Sequence, residues 1–153
     1  MSATLSRLQL KNYFLKELSY FLKDSLDKAP GRKTHEKKIE LEISDLTTPT
    51  GDSGHDWRCE LTIKSTNPDK ASFYDFRIVI VGFFMIDPTV DLDTAKLIAE
   101  TNAPAVLYST SREIVATVTR RSPYPGTLLP AVTFLREPEE PKKTKRPIKK
   151  TSK

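Results

Sequence analysis

The stretch IVIVGFFMI, residues 78 to 86, restricts this chain more than any other. Just before it, from Phe73, apolar and polar residues alternate with Asp75 and Arg77 facing out, the period of two of a strand with one wet face. From Ile78 onward both alternating sets are apolar. A strand buried on both faces needs cover on both faces. The run is also far short of the ~20 residues that would cross a bilayer, so no membrane span is expected.

Three further segments have strand character. Lys38, Glu40 and Glu42 alternate with Ile39, Leu41 and Ile43, and Trp57, Cys59, Leu61 and Ile63 alternate with Arg58, Glu60, Thr62 and Lys64. Between Leu8 and Leu22 apolar residues are so frequent that helical and extended periods both fit. The Tyr, Phe and Leu content of LKNYFLKELSYFL favours a long, bulged strand. The connectors LDKAPGRKTHE, TTPTGDSGHD and STNPDK are rich in turn-forming residues.

Downstream, 91–100 and 103–121 are expected to form helical segments, with Asp91 or Asp93 as a cap and Pro104 breaking or restarting the helix. Leu107, Ile114 and Val118 recur at spacings of seven and four. The sum is an α+β fold, a four-stranded antiparallel sheet with one helical layer. One layer covers one face, which leaves Val79, Val81 and Phe83 or their neighbours unsheltered. A homo-oligomer or a peptide-binding protein follows from that pattern.

The net charge of +5 has a single source. Residues 136–153 hold eight Lys or Arg against three Glu, leaving 17 cations and 17 anions in residues 1–135. The reading is a domain over 1–135 followed by a disordered, basic, Pro-rich tail over 136–153, since such a segment has too little apolar surface to offset its ordering entropy. Nucleic acid is a conceivable partner only through that tail, because the strands lack the aromatic and basic interleaving that stacks bases. Cys59 is alone and reads as a buried structural thiol, and His35 and His55 complete no metal-ligand set. No Gly-rich phosphate loop occurs and both histidines sit in polar turns, so neither catalysis nor a cofactor is expected. The amino terminus MSATLSRLQLKNYF lacks the features of a secretory signal, which points to the cytoplasm.

The segments GFFMID and NAPAVLYSTSREIVATVTRRSPYPGTLLPAVTF carry a family resemblance. A Gly before an apolar strand end, a helix with a Pro near its start, the Arg112–Glu113 pair, basic residues near the helix end and an apolar Pro-containing loop closing in Val-x-Phe resemble the SecB family of export chaperones. The similarity covers most of residues 8 to 134. It implies a dimer of dimers with helices sandwiched between sheets, a homotetramer that holds non-native polypeptide in apolar grooves without ATP. The groove residues implied are Tyr13, Leu18, Tyr20, Phe83, Met85, Leu107, Tyr108, Tyr124, Leu128 and Leu129. Ile114, Val118, Arg112 and Glu113 are placed at the oligomer interface.

Two departures bear on the partner. Export members of that family present acids on the exposed sheet face to dock the translocase motor; here Glu17 keeps one, but Phe21 and Arg77 stand where others are expected. Export members also continue past the closing loop into another helix and a polar end, whereas this chain enters its basic tail. The implied function is therefore a chaperone dedicated to an antitoxin in a toxin-antitoxin-chaperone system, with poor binding to the motor. A general export chaperone is the alternative, and a nucleic-acid-binding module acting through the tail is the third reading.

Overall fold

The computed structural model describes residues 5–22, 39–66, 74–122 and 126–135. Its elements are β1 (Leu8–Leu22), β2 (Leu41–Pro49), β3 (Asp56–Ser65), β4 (Tyr74–Ile86) and α1 (Leu92–Thr119). The strands form one antiparallel sheet in the order β1-β4-β3-β2, so the doubly apolar β4 is an inner strand flanked by β1 and β3. Strand β2 continues beyond Ile43 through Thr47, Thr48 and Pro49, residues that read as turn in the sequence; it is an edge strand, where a proline's missing N–H costs no ladder bond. Gly51 and Gly54, at φ +77° and +68°, then supply the left-handed conformations of the connection to β3.

Strand β1 is a bulged strand. Its register against β4 shifts between Leu10 and Asn12 and again between Leu15 and Glu17, which leaves Lys11 and Lys16 as the extra residues. Each bulge resets the alternation. Directly paired residues of antiparallel strands share a face, so Leu8, Leu10, Tyr13, Leu15, Leu18, Tyr20 and Leu22 lie on the same face as Tyr74, Phe76, Ile78, Ile80, Gly82, Phe84 and Ile86 of β4. That face carries the helix.

Helix α1 is continuous. The expected division at Pro104 does not occur: the proline is buried inside a single 28-residue helix capped by Asp91, whose carboxylate accepts from the Thr94 N–H at 2.9 Å. Proline removes one intrahelical bond, but Ala95, Ala99, Ala103, Leu107, Ser111, Val115 and Thr119, all buried, form an unbroken ridge through it, and tertiary burial outweighs the local cost. The ridge packs on a core of Trp57, Cys59, Leu61, Ile63, Ile78, Ile80, Phe84 and Ile86. Gly82 marks the closest approach. A Cβ there would lie 2.8 Å from Leu107 Cδ2 and 2.8 Å from Phe84 Cε2.

The opposite face corrects a second expectation. Val79 and Val81 are not open: they are 3% and 0% exposed. Val81 is paired with Phe14 on one side and Glu60 on the other, and Lys16 of β1 reaches Glu60 of β3 at 2.8 Å, over the intervening β4. Glu60 also pairs with Arg58, and Arg77 Nε meets Glu17 Oε2 at 3.2 Å. Long side chains with apolar stems and paired charged ends thus roof the valines within the one chain. Phe83 stays half-buried, its ring 6.3 Å from that of Phe14.

Candidate functional site

The helix has two flanks, and among the described residues a loop covers only one of them. At 100° per residue, Tyr108, Arg112 and Thr119 fall within about 40° of one another, while Ile114 and Val118 form a second stripe about 80–160° away, with buried Ser111 and Val115 between the two.

The first flank holds the loop 126–135. Tyr108 Oη donates to Pro130 O at 2.7 Å, Arg112 Nε donates to Leu129 O at 3.0 Å, and the Thr127 N–H donates to Thr119 Oγ1 at 2.8 Å. Burial pushes the Tyr108 phenol above its ordinary range, with Arg112 opposing, so its hydroxyl stays a donor at neutral pH. The loop's side chains alternate between core and solvent. Leu129 is fully buried, and Val132 and Phe134 pack partly on the core, Phe134 edge-on to Tyr108 at 5.8 Å; Leu128 and Leu135 are 65% and 78% exposed. The result is a fastened loop with an apolar outer rim.

The second flank is bare. Leu10, Tyr13, Leu15 and Leu18 of β1 lie on the helix-bearing face yet are 36–45% exposed, because the helix packs mainly on the inner strands β4 and β3 and leaves most of this edge strand uncovered. Where β1 nears the helix end, Tyr20, Thr117, Val118, Arg121 and Ser122 line a small cleft. The hydroxyl of Tyr20 is buried there without a hydrogen-bond partner among the described residues, and its ring stacks on Tyr74 at 5.4 Å.

The sequence-derived groove is therefore redistributed. Tyr13, Leu18 and Tyr20 share the bare flank with Ile114 and Val118. Phe83 and Met85, in register with Asn12 and Gln9, lie on the other face of the sheet, since one residue along a strand reverses the side chain. Leu107, Tyr108 and Leu129 are core residues at 0%, 3% and 0% exposure, too deep to serve as a groove surface. Leu128 remains at the surface, and Tyr124 lies outside the described residues, as does the tail 136–153. Arg112, expected at an interface, spends its guanidinium on the loop, whereas Glu113 is exposed. Leu10 and Leu15 were missed. Their signal was the 2-3-2-3 spacing of apolar residues along β1, an alternation interrupted by two single insertions.

An antiparallel four-stranded sheet bearing one long helix, with a pinned loop on one flank of that helix and, among the described residues, uncovered apolar side chains on the other, is an α+β domain of the SecB-like fold. The chain belongs to the SecB family, whose description is preprotein translocase subunit SecB and whose sequence profile matches residues 2–136. Among solved structures the fold is similar to a SecB-like chaperone of Mycobacterium tuberculosis in complex with a peptide from an antitoxin, at 16% identity and a TM-score of 0.55 over 82% of this chain and 91% of that one. A protein of unknown function from Streptococcus agalactiae is similar at 13% identity and a TM-score of 0.47, over 81% of this chain and 97% of that one. No curated protein sequence matches the chain. No described helix is long and apolar enough to cross a membrane.

Proposed function

We propose that this protein is an ATP-independent cytoplasmic chaperone that holds non-native polypeptide, with an antitoxin as its dedicated client, and that it works as a homotetramer. The observation that carries the reading is the separation of two apolar surfaces by one helix. The bare flank, made of Leu10, Tyr13, Leu15 and Leu18 beside Ile114 and Val118, adjoins the open edge of β1. An edge with unpaired backbone groups beside an uncovered apolar stripe suits another copy of the sheet, so this flank is assigned to assembly. The loop rim, with Leu128 and Leu135 exposed, has no such edge pairing and is assigned to the client.

Apolar burial is non-directional, which lets a rim of this kind accept varied sequences at ~25 cal/mol per Å² removed from water. The fold shared with a chaperone whose structure holds an antitoxin peptide makes an antitoxin the client to test. The outer sheet face argues against general export. Its acids Glu17 and Glu60 are already paired with Arg77, Lys16 and Arg58, which takes up negative charge that would otherwise steer a basic docking surface. The basic segment 136–153 supports an acidic, partly folded client, whose encounter it would speed at low salt.

Calorimetry with an antitoxin segment and with the purified translocase motor, side by side, tests the assignment. Micromolar or tighter binding to the antitoxin segment with weaker binding to the motor is expected. Tight motor binding with none to the antitoxin would overturn it.

A further inference from the structure

The cleft where β1 nears the end of α1 gathers three hydrogen-bond donors with no acceptor among the described residues. Lined by Tyr20, Thr117, Val118, Arg121 and Ser122, it has a volume of about 460 Å³, within the ~300–1,000 Å³ typical of small-molecule sites. The Tyr20 hydroxyl is buried without a partner. The Thr117 hydroxyl is uncommitted too, whereas those of Thr110, Ser111 and Thr119 on the same helix each donate to the carbonyl four residues back. The Arg121 guanidinium has no carboxylate partner, although Lys16, Arg58 and Arg77 on the sheet are all paired. Only Ser122 is engaged, its Oγ 2.5 Å from Tyr74 Oη, and the Tyr74 ring stacks on that of Tyr20. The phenol is thus held in place while its hydroxyl carries an uncompensated desolvation cost, which an acceptor entering the cleft would offset.

We propose that this cleft is a binding site for a small carboxylate with an apolar body. Two hydroxyls and a guanidinium can all donate to the same carboxylate, and the planar fork of the arginine matches its two oxygens. A cationic ligand would be repelled by Arg121, and a neutral one would leave that charge unpaired. The remaining walls, the Val118 side chain and the Tyr20 ring, are apolar and suit a hydrocarbon body. Two kinds of molecule carry this chemistry, a free organic acid and the carboxyl end of a polypeptide that finishes in an apolar residue. The site goes beyond the proposed chaperone role and is independent of it, since it uses neither the loop rim nor its exposed leucines.

Calorimetry on the full chain tests it with benzoate as the free acid and N-acetyl-leucine as the polypeptide end. At least one is expected to bind with a dissociation constant on the order of millimolar or tighter, and which binds more tightly identifies the source. The corresponding amide, benzamide or N-acetyl-leucinamide, should bind roughly tenfold or more weakly, because it lacks the charge that Arg121 pairs with. Tyr20→Phe and Arg121→Gln should each weaken binding of the acid on the order of tenfold. In the absence of ligand, Tyr20→Phe should melt no lower than wild type, since it removes a buried hydroxyl that has no partner; a hydroxyl with a purely structural role would give the opposite result. Acid and amide bound equally, acid bound by Tyr20→Phe as by wild type, or no binding of either acid at tens of millimolar would overturn the site. None of these outcomes bears on retention of an unfolded client, which an aggregation-suppression assay reads separately.

Discussion

Arg112 Nε donates a hydrogen bond to the carbonyl of Leu129 at 3.0 Å, so a residue expected at a subunit interface instead ties the apolar loop to its own helix. One turn away the Tyr108 hydroxyl makes the same kind of bond to Pro130 O. Together they set which loop side chains face in. Arg112→Ala is expected to cost about 1–2 kcal/mol in thermal or denaturant unfolding, since it leaves a partly buried carbonyl without its charged donor. It should also expose the loop to limited proteolysis near residues 126–135.

Adjacent leucines should behave as opposites. Leu129 is fully buried and Leu128 is 65% exposed. Leu129→Ala is expected to destabilise the fold by about 2–5 kcal/mol through lost transfer energy and a cavity. Leu128→Ser should leave the melting temperature nearly unchanged and weaken retention of an unfolded client in an aggregation-suppression assay. Equal stability loss from both would remove the loop rim as a client surface.

The β1 stripe offers a separate test. Replacing Leu15 and Leu18 by Ser removes apolar surface that is 41% exposed at each position. The expected outcome is dissociation to a smaller species in analytical ultracentrifugation with the strand content retained, because neither residue belongs to the buried core cluster. Client capture by any remaining folded subunit should persist, since the loop rim lies on the other flank.

His55 carries a pH dependence. Its Nδ1 lies 2.8 Å from Ser53 O and its Nε2 2.9 Å from Val90 O, two acceptors that only the doubly protonated ring can satisfy at once. The Val90 and Ser53 carbonyls raise its pKa above 6.5, and nearby Asp56 and Asp87 add to the effect. A folded pKa above the unfolded value gives stabilisation that is fully present below pH ~6.5 and fades as pH rises through the folded value. Wild type should therefore lose some thermal stability across that window relative to His55→Gln, whose profile should be flatter there. A histidine titration followed by NMR would read the pKa directly.

The outer face can be recharged. Glu60 has its pKa lowered by hydrogen bonds from Lys16 and then Arg58. Replacing Lys16, Arg58 and Arg77 by Ala frees Glu17 and Glu60, and is expected to strengthen binding to the basic docking surface of the translocase motor in a salt-sensitive manner. The same variant should open the cover over Val79 and Val81, read as increased binding of a hydrophobic dye.

Much of the architecture was legible in local pattern. The alternations around Ile43 and Ile63 and the doubly apolar run after Ile78 placed three strands, because side chains on a pleated strand must divide between two environments. Pro104 misled, because its local cost was weighed without the sheet beneath the helix. The groove residues were scattered for a related reason. Phe83 and Phe84 are neighbours in sequence but lie on opposite faces of the sheet, and apolar character alone does not say which.

What the sequence determined by itself is the run of strands, the helical region after them and the location of the excess charge, since each follows from short-range periodicity and composition. Tertiary structure decided everything that depends on which element covers which. The helix packs mainly on the inner strands, so Leu10, Tyr13, Leu15 and Leu18 stay open although Ile78 and Ile80 on the adjacent strand are closed. Lys16 reaches Glu60 only because β4 lies between their strands and two bulges reset the register of β1. Such distances across the sheet are fixed by strand order and crossing position, which no local run of residues encodes.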